Sequence, residues 1–274
     1  MVNVQRPLVA DFATFGLDPS WSRTIDVPSH DGATHRWHFL DRPGTQKDAP
    51  VVLCLHGNPT WSFLWSRLFN ELNSNFRVIA LDHLSMGLSE RVPTRTYRDR
   101  VADINDVVTA LNIAAPIWIV AQDWGGAIGM GYAVAHPDRV AGMVLSNTGI
   151  AIPHNRRAPL LIRLAAATGI HRLVTKDSSL FVRGTPFLPG RGISHVQRAA
   201  LVFPYQSRNR RNGVADFVAD APLTARHSSA QDIADVAEKL SSLTMPVRLV
   251  WGSRDPVFND DFAHDLMNRF QNVA

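Results

Sequence analysis

Residues 119 to 129 read Ile-Val-Ala-Gln-Asp-Trp-Gly-Gly-Ala-Ile-Gly, a buried strand that must turn sharply into a helix with Asp123 at the apex. Small residues two places before and after the apex, Ala121 and Gly125, let strand and helix approach closely. This is the pattern of a nucleophile elbow, which lifts one side chain above a parallel sheet. The usual apex residue is Ser, and here a carboxylate takes its place. A helix N-terminus beneath it favours the ionised form through the dipole and free N–H groups. Ionised, Asp123 can attack carbon and form an enzyme ester that a second step must resolve.

The rest of the chain repeats the strand–helix rhythm that such an elbow needs. Strands are expected at 24–27, 35–40, 51–55, 77–81, 117–121, 140–146 and 247–251. Helices are expected near 62–72, 97–111, 230–243 and 260–270. In the second of these, Val101, Ile104, Val107, Val108 and Leu111 recur at helical spacing. Strands that are apolar throughout and alternate with helices predict an α/β class, a mostly parallel, doubly wound sheet. From about Ile152 to Ala225 the alternation stops, and short helical patterns such as 160–167 stand among frequent Pro, Gly and Arg. The expected organisation is a core over 1–151, an inserted helical cap over 152–225, and the rest of the core over 226–274. An insertion leaving the C-terminal edge of such a sheet lies over the site and excludes water.

With 274 residues, 45% of them hydrophobic, the chain can bury one large core. No run of about 18 apolar residues occurs, so no membrane span is expected. The N-terminus lacks the order of a secretory signal. Cys54, the single cysteine, lies in an apolar run and is expected to be buried; the chain is read as cytoplasmic. The net charge of +4 does not indicate a nucleic-acid partner, because the one dense basic cluster, Arg208, Arg210 and Arg211, has no interleaved aromatic platform and is expected to be a solvated loop. Histidines and carboxylates are dispersed and no Gly-rich phosphate loop follows a strand, so neither metal nor cofactor is expected.

A second string, Leu-His-Gly-Asn-Pro-Thr-Trp-Ser-Phe-Leu-Trp at 55–65, closes the third strand. A Gly there frees backbone N–H groups to face the nucleophile. Asn58 adds an amide donor and Trp124 an indole N–H, a pair suited to hold a developing anion such as a halide or carboxylate. Asp255, in the Gly-Ser-Arg-Asp turn after strand 247–251, can orient an imidazole or, more simply, cap the following helix. At the alternative acid position stands Asn147, which cannot ionise.

His56 to Trp65, Gln122 to Gly126 and Trp251 to Asp255 resemble the haloalkane dehalogenase branch of the α/β-hydrolase fold. Within it, Phe203–Ser207, Phe217–Leu223 and Asp255–Phe262 more closely resemble the β-lactone decarboxylases of bacterial long-chain olefin biosynthesis. The resemblance implies an α/β-hydrolase fold, with Asp123 as nucleophile, Asn58 and Trp124 as the anion-holding pair and Asp255 as the triad acid. It implies a small apolar electrophile with alkyl chains as substrate, split into a cis-alkene and carbon dioxide, and the β-lactone synthetase of the same pathway as partner, in some bacteria fused to the decarboxylase. Phe181, Phe187, Leu188, Val202 and Phe203 are candidates to line a channel for two alkyl chains. Haloalkane dehalogenation uses the same nucleophile and clamp. Epoxide hydrolysis would want acidic Tyr donors, and only Tyr205 lies in the cap.

The triad order of the fold places the His last, and no His follows His264, which falls on a helix facing the wrong region. His56, His83 and His136 have structural readings. The last strand, the base-bearing loop and the closing helix are therefore expected to be missing, as in a fragment, part of a fusion or an inactive homologue with a scaffold role. Such a chain would expose a sheet edge and be poorly soluble.

Overall fold

The computed structural model describes residues 9–154, 156, 158, 160–165, 171–187 and 192–274. Seven strands form one sheet: β1 (Ser22–Pro28), β2 (Thr34–Arg42), β3 (Val51–Leu55), β4 (Arg77–Leu81), β5 (Ile117–Gln122), β6 (Val140–Ser146) and β7 (Val247–Val250). Their spatial order is β1-β2-β4-β3-β5-β6-β7. β1 and β2 form an antiparallel hairpin, β2 runs antiparallel to β4, and the remaining five strands are parallel. Leu53 pairs with Ile79 on one side and Ile119 on the other, and all three are fully buried, which is why the central strands read as unbroken apolar runs.

Helices α1 (Val9–Thr14), α2 (Ser66–Glu71), α3 (Tyr97–Ala110) and α4 (Trp124–Ala135) accompany the first six strands. α3 opens on a capping box, Thr96 with Asp99, and packs on α4, presenting Ile104, Val107 and Val108 inward. Between β6 and β7 the described residues contain only helical segments, among them α5 (Leu160–Ala165), α6 (Leu180–Gly184), α7 (His195–Val202) and α8 (Asn212–Ala219). α9 (Ala230–Lys239), packed on α3 and α4, precedes β7, and α10 (Asp260–Arg269) follows it. The chain thus doubles back between β3 and β5, where connections leave in opposite directions. This switch point is where an α/β sheet opens a crevice at its strand C-termini.

Three details differ from expectation. β7 does not stand as a bare edge: Val247 N–H donates to Asn272 O at 2.9 Å, Leu249 N–H to Ala274 O at 2.9 Å, and Val273 bridges Val247 in parallel. Arg210 and Arg211 are not solvated; their guanidinium groups are spent on the carbonyls of Gly87, Pro204, Tyr205 and Lys176, and only Arg208 is exposed. The turn at Pro19–Trp21 and helix α1 have too few periodic residues to be read from sequence.

Candidate functional site

The end of β5 delivers Asp123 at φ 53°, ψ −128°, a left-handed conformation for a residue with a side chain. Such a backbone persists only when its surroundings over-determine it. Asp123 N–H donates to Asn147 O at 3.1 Å, and its own carbonyl accepts Thr148 Oγ1 at 2.6 Å and Gly126 N–H at 3.0 Å. Two glycines make room. A Cβ at Gly57 would lie 2.3 Å from Asp123 Cβ, and one at Gly125 would lie 2.1 Å from Leu55 O.

The two carboxylate oxygens are differentiated. Oδ1 accepts the backbone N–H of Asn58 at 3.0 Å and the backbone N–H of Trp124, while Oδ2 has no hydrogen-bond partner among the described residues. Burial raises the carboxyl to about 6, against the two N–H donors, and the nearby Asp255 charge pushes the same way. Ionisation is therefore not simply favoured by the helix N-terminus, as expected; removal of water outweighs the donors.

Asp123 and Trp124 line a cavity of about 260 Å³. Its walls come from Gly149 to Ile152 after β6, Ala221 to Ala225 after α8, Ile233 on α9, and Phe258 and Phe262 after β7. Trp124 packs edge-on against Phe217 with centroids 5.5 Å apart, and its indole N–H has no partner among the described residues. Asn58 does not join that lining. Its Nδ2 donates to Val214 O on α8 at 3.1 Å, so the side chain ties the loop after β3 to the helical segment while its backbone N–H serves Asp123.

Asp255 sits partly exposed in the loop after β7, with Oδ1 accepting Val257 N–H at 2.7 Å and Phe258 N–H at 3.0 Å. Those bonds are a turn cap, and no imidazole joins them among the described residues. Asn147, at φ 33°, grips the same loop: Nδ2 donates to Gly252 O at 3.0 Å and Phe258 O at 3.1 Å, and Oδ1 accepts Gly252 N–H at 2.9 Å.

Residues 50–273 match the α/β hydrolase fold family. The chain belongs to that family. It is 31% identical over 240 residues to the cis-3-alkyl-4-alkyloxetan-2-one decarboxylase of Shewanella oneidensis, covering 82% of this chain and 75% of that protein. It is 31% identical over 233 residues to haloalkane dehalogenase 2 of Mycobacterium tuberculosis, covering 83% of this chain and 78% of that protein. In structure it resembles a haloalkane dehalogenase of Bradyrhizobium elkanii, with a TM-score of 0.79, 23% identity, and 92% and 86% of the two chains covered.

The histidines of this α/β hydrolase are occupied elsewhere or stand apart. His56 is fully buried with Nδ1 on Gly57 O and Nε2 accepting His83 N–H, His136 stacks on Tyr132, and His264 is exposed on α10. Tyr205 is buried, its hydroxyl donating to Thr60 O at 2.5 Å and accepting Gly87 N–H at 3.0 Å, so it is not a donor for the cavity. Phe181, Phe187, Val202 and Phe203 do not line the cavity: Phe203 packs on Phe15, and Phe187 lies exposed under Arg198. Leu188 lies outside the described residues. The actual walls could be found in the sequence through the Phe217–Leu223 and Asp255–Phe262 strings, which hold Ala221, Pro222, Leu223, Phe258 and Phe262; Gly149–Ile152 carried no signal. His30, far in sequence from Asp103 and Asp106 on α3, brings possible metal-ligand atoms of the three within 4.8 Å of one another, yet Asp106 Oδ2 already accepts His30 Nδ1 at 2.8 Å and none of them lines the cavity.

Proposed function

We propose that this α/β hydrolase uses Asp123 as a nucleophile to open a cis-3,4-dialkyl β-lactone, releasing a cis-alkene and carbon dioxide. The observation that carries this is the asymmetric carboxylate, with one oxygen pinned by two N–H groups and the other unbonded, bordering an apolar cavity. Residues 152–225 act as the cap that closes it.

Asp123 Oδ2 attacks the alkyl-bearing ring carbon bonded to the ring oxygen. That C–O bond breaks, an Asp123 ester forms, and the former acyl group becomes a carboxylate, still attached to the adjacent ring carbon, beside the Trp124 indole N–H. The carboxylate then departs as carbon dioxide, its C–C electron pair becomes the double bond, and Asp123 leaves with the C–O pair. Atoms balance without water, so this route requires no imidazole base. The Shewanella relative, a cis-3-alkyl-4-alkyloxetan-2-one decarboxylase, supports the same substrate class. The lactone would come from a β-lactone synthetase, its partner in the pathway.

Haloalkane dehalogenation is the second reading, favoured by the mycobacterial relative. It shares the first step. Its second step needs an activated water, and among the described residues no imidazole is hydrogen-bonded to Asp123 or Asp255 to activate one. Epoxide hydrolysis is disfavoured, because the hydroxyl of Tyr205 is committed to the backbone.

The test offers the purified chain a synthetic cis-dialkyl β-lactone and, separately, a 1-haloalkane, with alkene followed by gas chromatography and adducts by intact mass. The proposal expects cis-alkene over many turnovers from the lactone and none from Asp123→Asn. Alkene formation undiminished in that variant, or turnover of the haloalkane alone, would overturn it.

A further inference from the structure

The inserted cap carries a charge the rest of the molecule does not. Residues 152–225 hold eleven Arg or Lys against three Asp, a net +8 in a chain whose total is +4, leaving −4 for the remainder. On the same segment, side chains that would normally be buried point outward. Leu160, Leu164, Leu173, Leu180 and Phe187 are between 58% and 71% exposed.

Cations and aliphatic groups interleave at helical spacing. Arg163 stands between Leu160 and Leu164 on α5, Arg172 precedes Leu173, and Arg183 follows Leu180 by three residues on α6. All three arginines are exposed and, among the described residues, lie beyond salt-bridge distance of any carboxylate, whereas Arg156 and Arg208 pair with Asp261 and Asp177. The turn at Leu173–Asp177, α6 and the turn at Thr185–Phe187 pack against one another in succession, so Leu173, Leu180 and Phe187 belong to one region of surface.

We infer that the outer face of the cap docks on a lipid bilayer bearing anionic headgroups. Aliphatic side chains entering the acyl boundary, ringed by arginines at headgroup level, are the chemistry by which amphipathic helices lie on membranes. A second copy of the chain is a poorer occupant, since it would set +8 against +8. The charge division also orients the molecule, because the remainder is repelled by the surface that attracts the cap. Ile152 and Ala158 line the cavity close to α5 in sequence, so docking places that wall toward the bilayer, where apolar ligands dissolve. None of this depends on which reaction Asp123 performs.

Vesicle sedimentation with the full chain tests it. Vesicles of phosphatidylcholine with phosphatidylglycerol should pellet the protein, phosphatidylcholine alone should not, and added salt should release it. Replacing Arg163, Arg172 and Arg183 together by Gln should weaken binding about a hundredfold, at about fivefold per arginine. Leu173→Ser with Leu180→Ser should weaken it as well, with circular dichroism and thermal melts reporting that the fold is intact. Equal pelleting with neutral vesicles, unchanged binding of the arginine variant, or a protein that stays in the supernatant would each overturn the inference. So would a cap-mediated dimer seen by light scattering, or a soluble protein partner that binds this face while vesicles do not.

Discussion

Asp123 occupies a left-handed backbone and a water-poor pocket at once, and both cost stability at neutral pH. In the folded chain its carboxyl titrates at about 6 against an ordinary 3.8. The stability contributed by protonation is therefore fully present below about pH 4 and is lost as pH rises through about 6. Asp123→Asn keeps an acceptor for the two N–H donors and removes the buried charge. It is expected to be more stable than wild type by about 3 kcal/mol at neutral pH, the difference vanishing toward pH 4 in denaturant melts across pH. Any reaction that uses the ionised carboxylate should show an acidic limb near pH 6 in kcat/KM. Gly57 is the second sensitive residue at this scale. A methyl there meets Asp123 Cβ, so Gly57→Ala should displace the Asp123 carboxylate, costing about 1–3 kcal/mol and most of any activity that uses it.

At the scale of elements, the site exists because two parallel strands end side by side. Leu55 pairs with Ala121, so the loops that follow them supply Asn58 and Asp123 from residues far apart in the chain. The loop after β4 is locked in a similar way. Asp82, fully buried, accepts His38 Nδ1 at 2.8 Å and the N–H groups of Ser62 and Leu88 at 2.7 Å each. Although burial opposes it, the histidine charge and these donors hold its carboxyl at about 2. That contribution is present above about pH 4 and lost as pH falls toward 2. Asp82→Ala leaves those donors buried without an acceptor and is expected to cost about 3–5 kcal/mol in urea melts. The elements themselves were legible in the sequence: β4 and β6 fall at the expected residues, and α3 begins at the expected Tyr97, because apolar runs and capping residues are local signals. The irregular helices of 173–187 were not, since short turns there are set by packing.

At the scale of the whole molecule, a buried charge pair ties α3 to the segment after α8 that supplies one cavity wall. Arg100 of α3 faces Asp220 at 3.6 Å, its guanidinium lies 3.6 Å over the Phe217 ring that backs Trp124, and Asp220 accepts Ser229 Oγ at 2.5 Å. Asp220→Ala strands a buried arginine and should destabilise the fold by about 3–5 kcal/mol, with faster limited proteolysis between α8 and α9 as the specific sign of a loosened cavity wall. Alternation of apolar strands with helices was enough to name the class, and an acidic residue between small neighbours and a Pro- and Arg-rich interruption pointed to a candidate nucleophile and a candidate insertion, because each is written within a short stretch of chain. Which oxygen of Asp123 is free, that Asn58 turns its amide to α8, that burial lifts the carboxyl, and that the walls come from 149–152 and 221–225 were decided only by the tertiary structure. These depend on desolvation and on contacts between residues far apart in the chain, which local sequence does not encode.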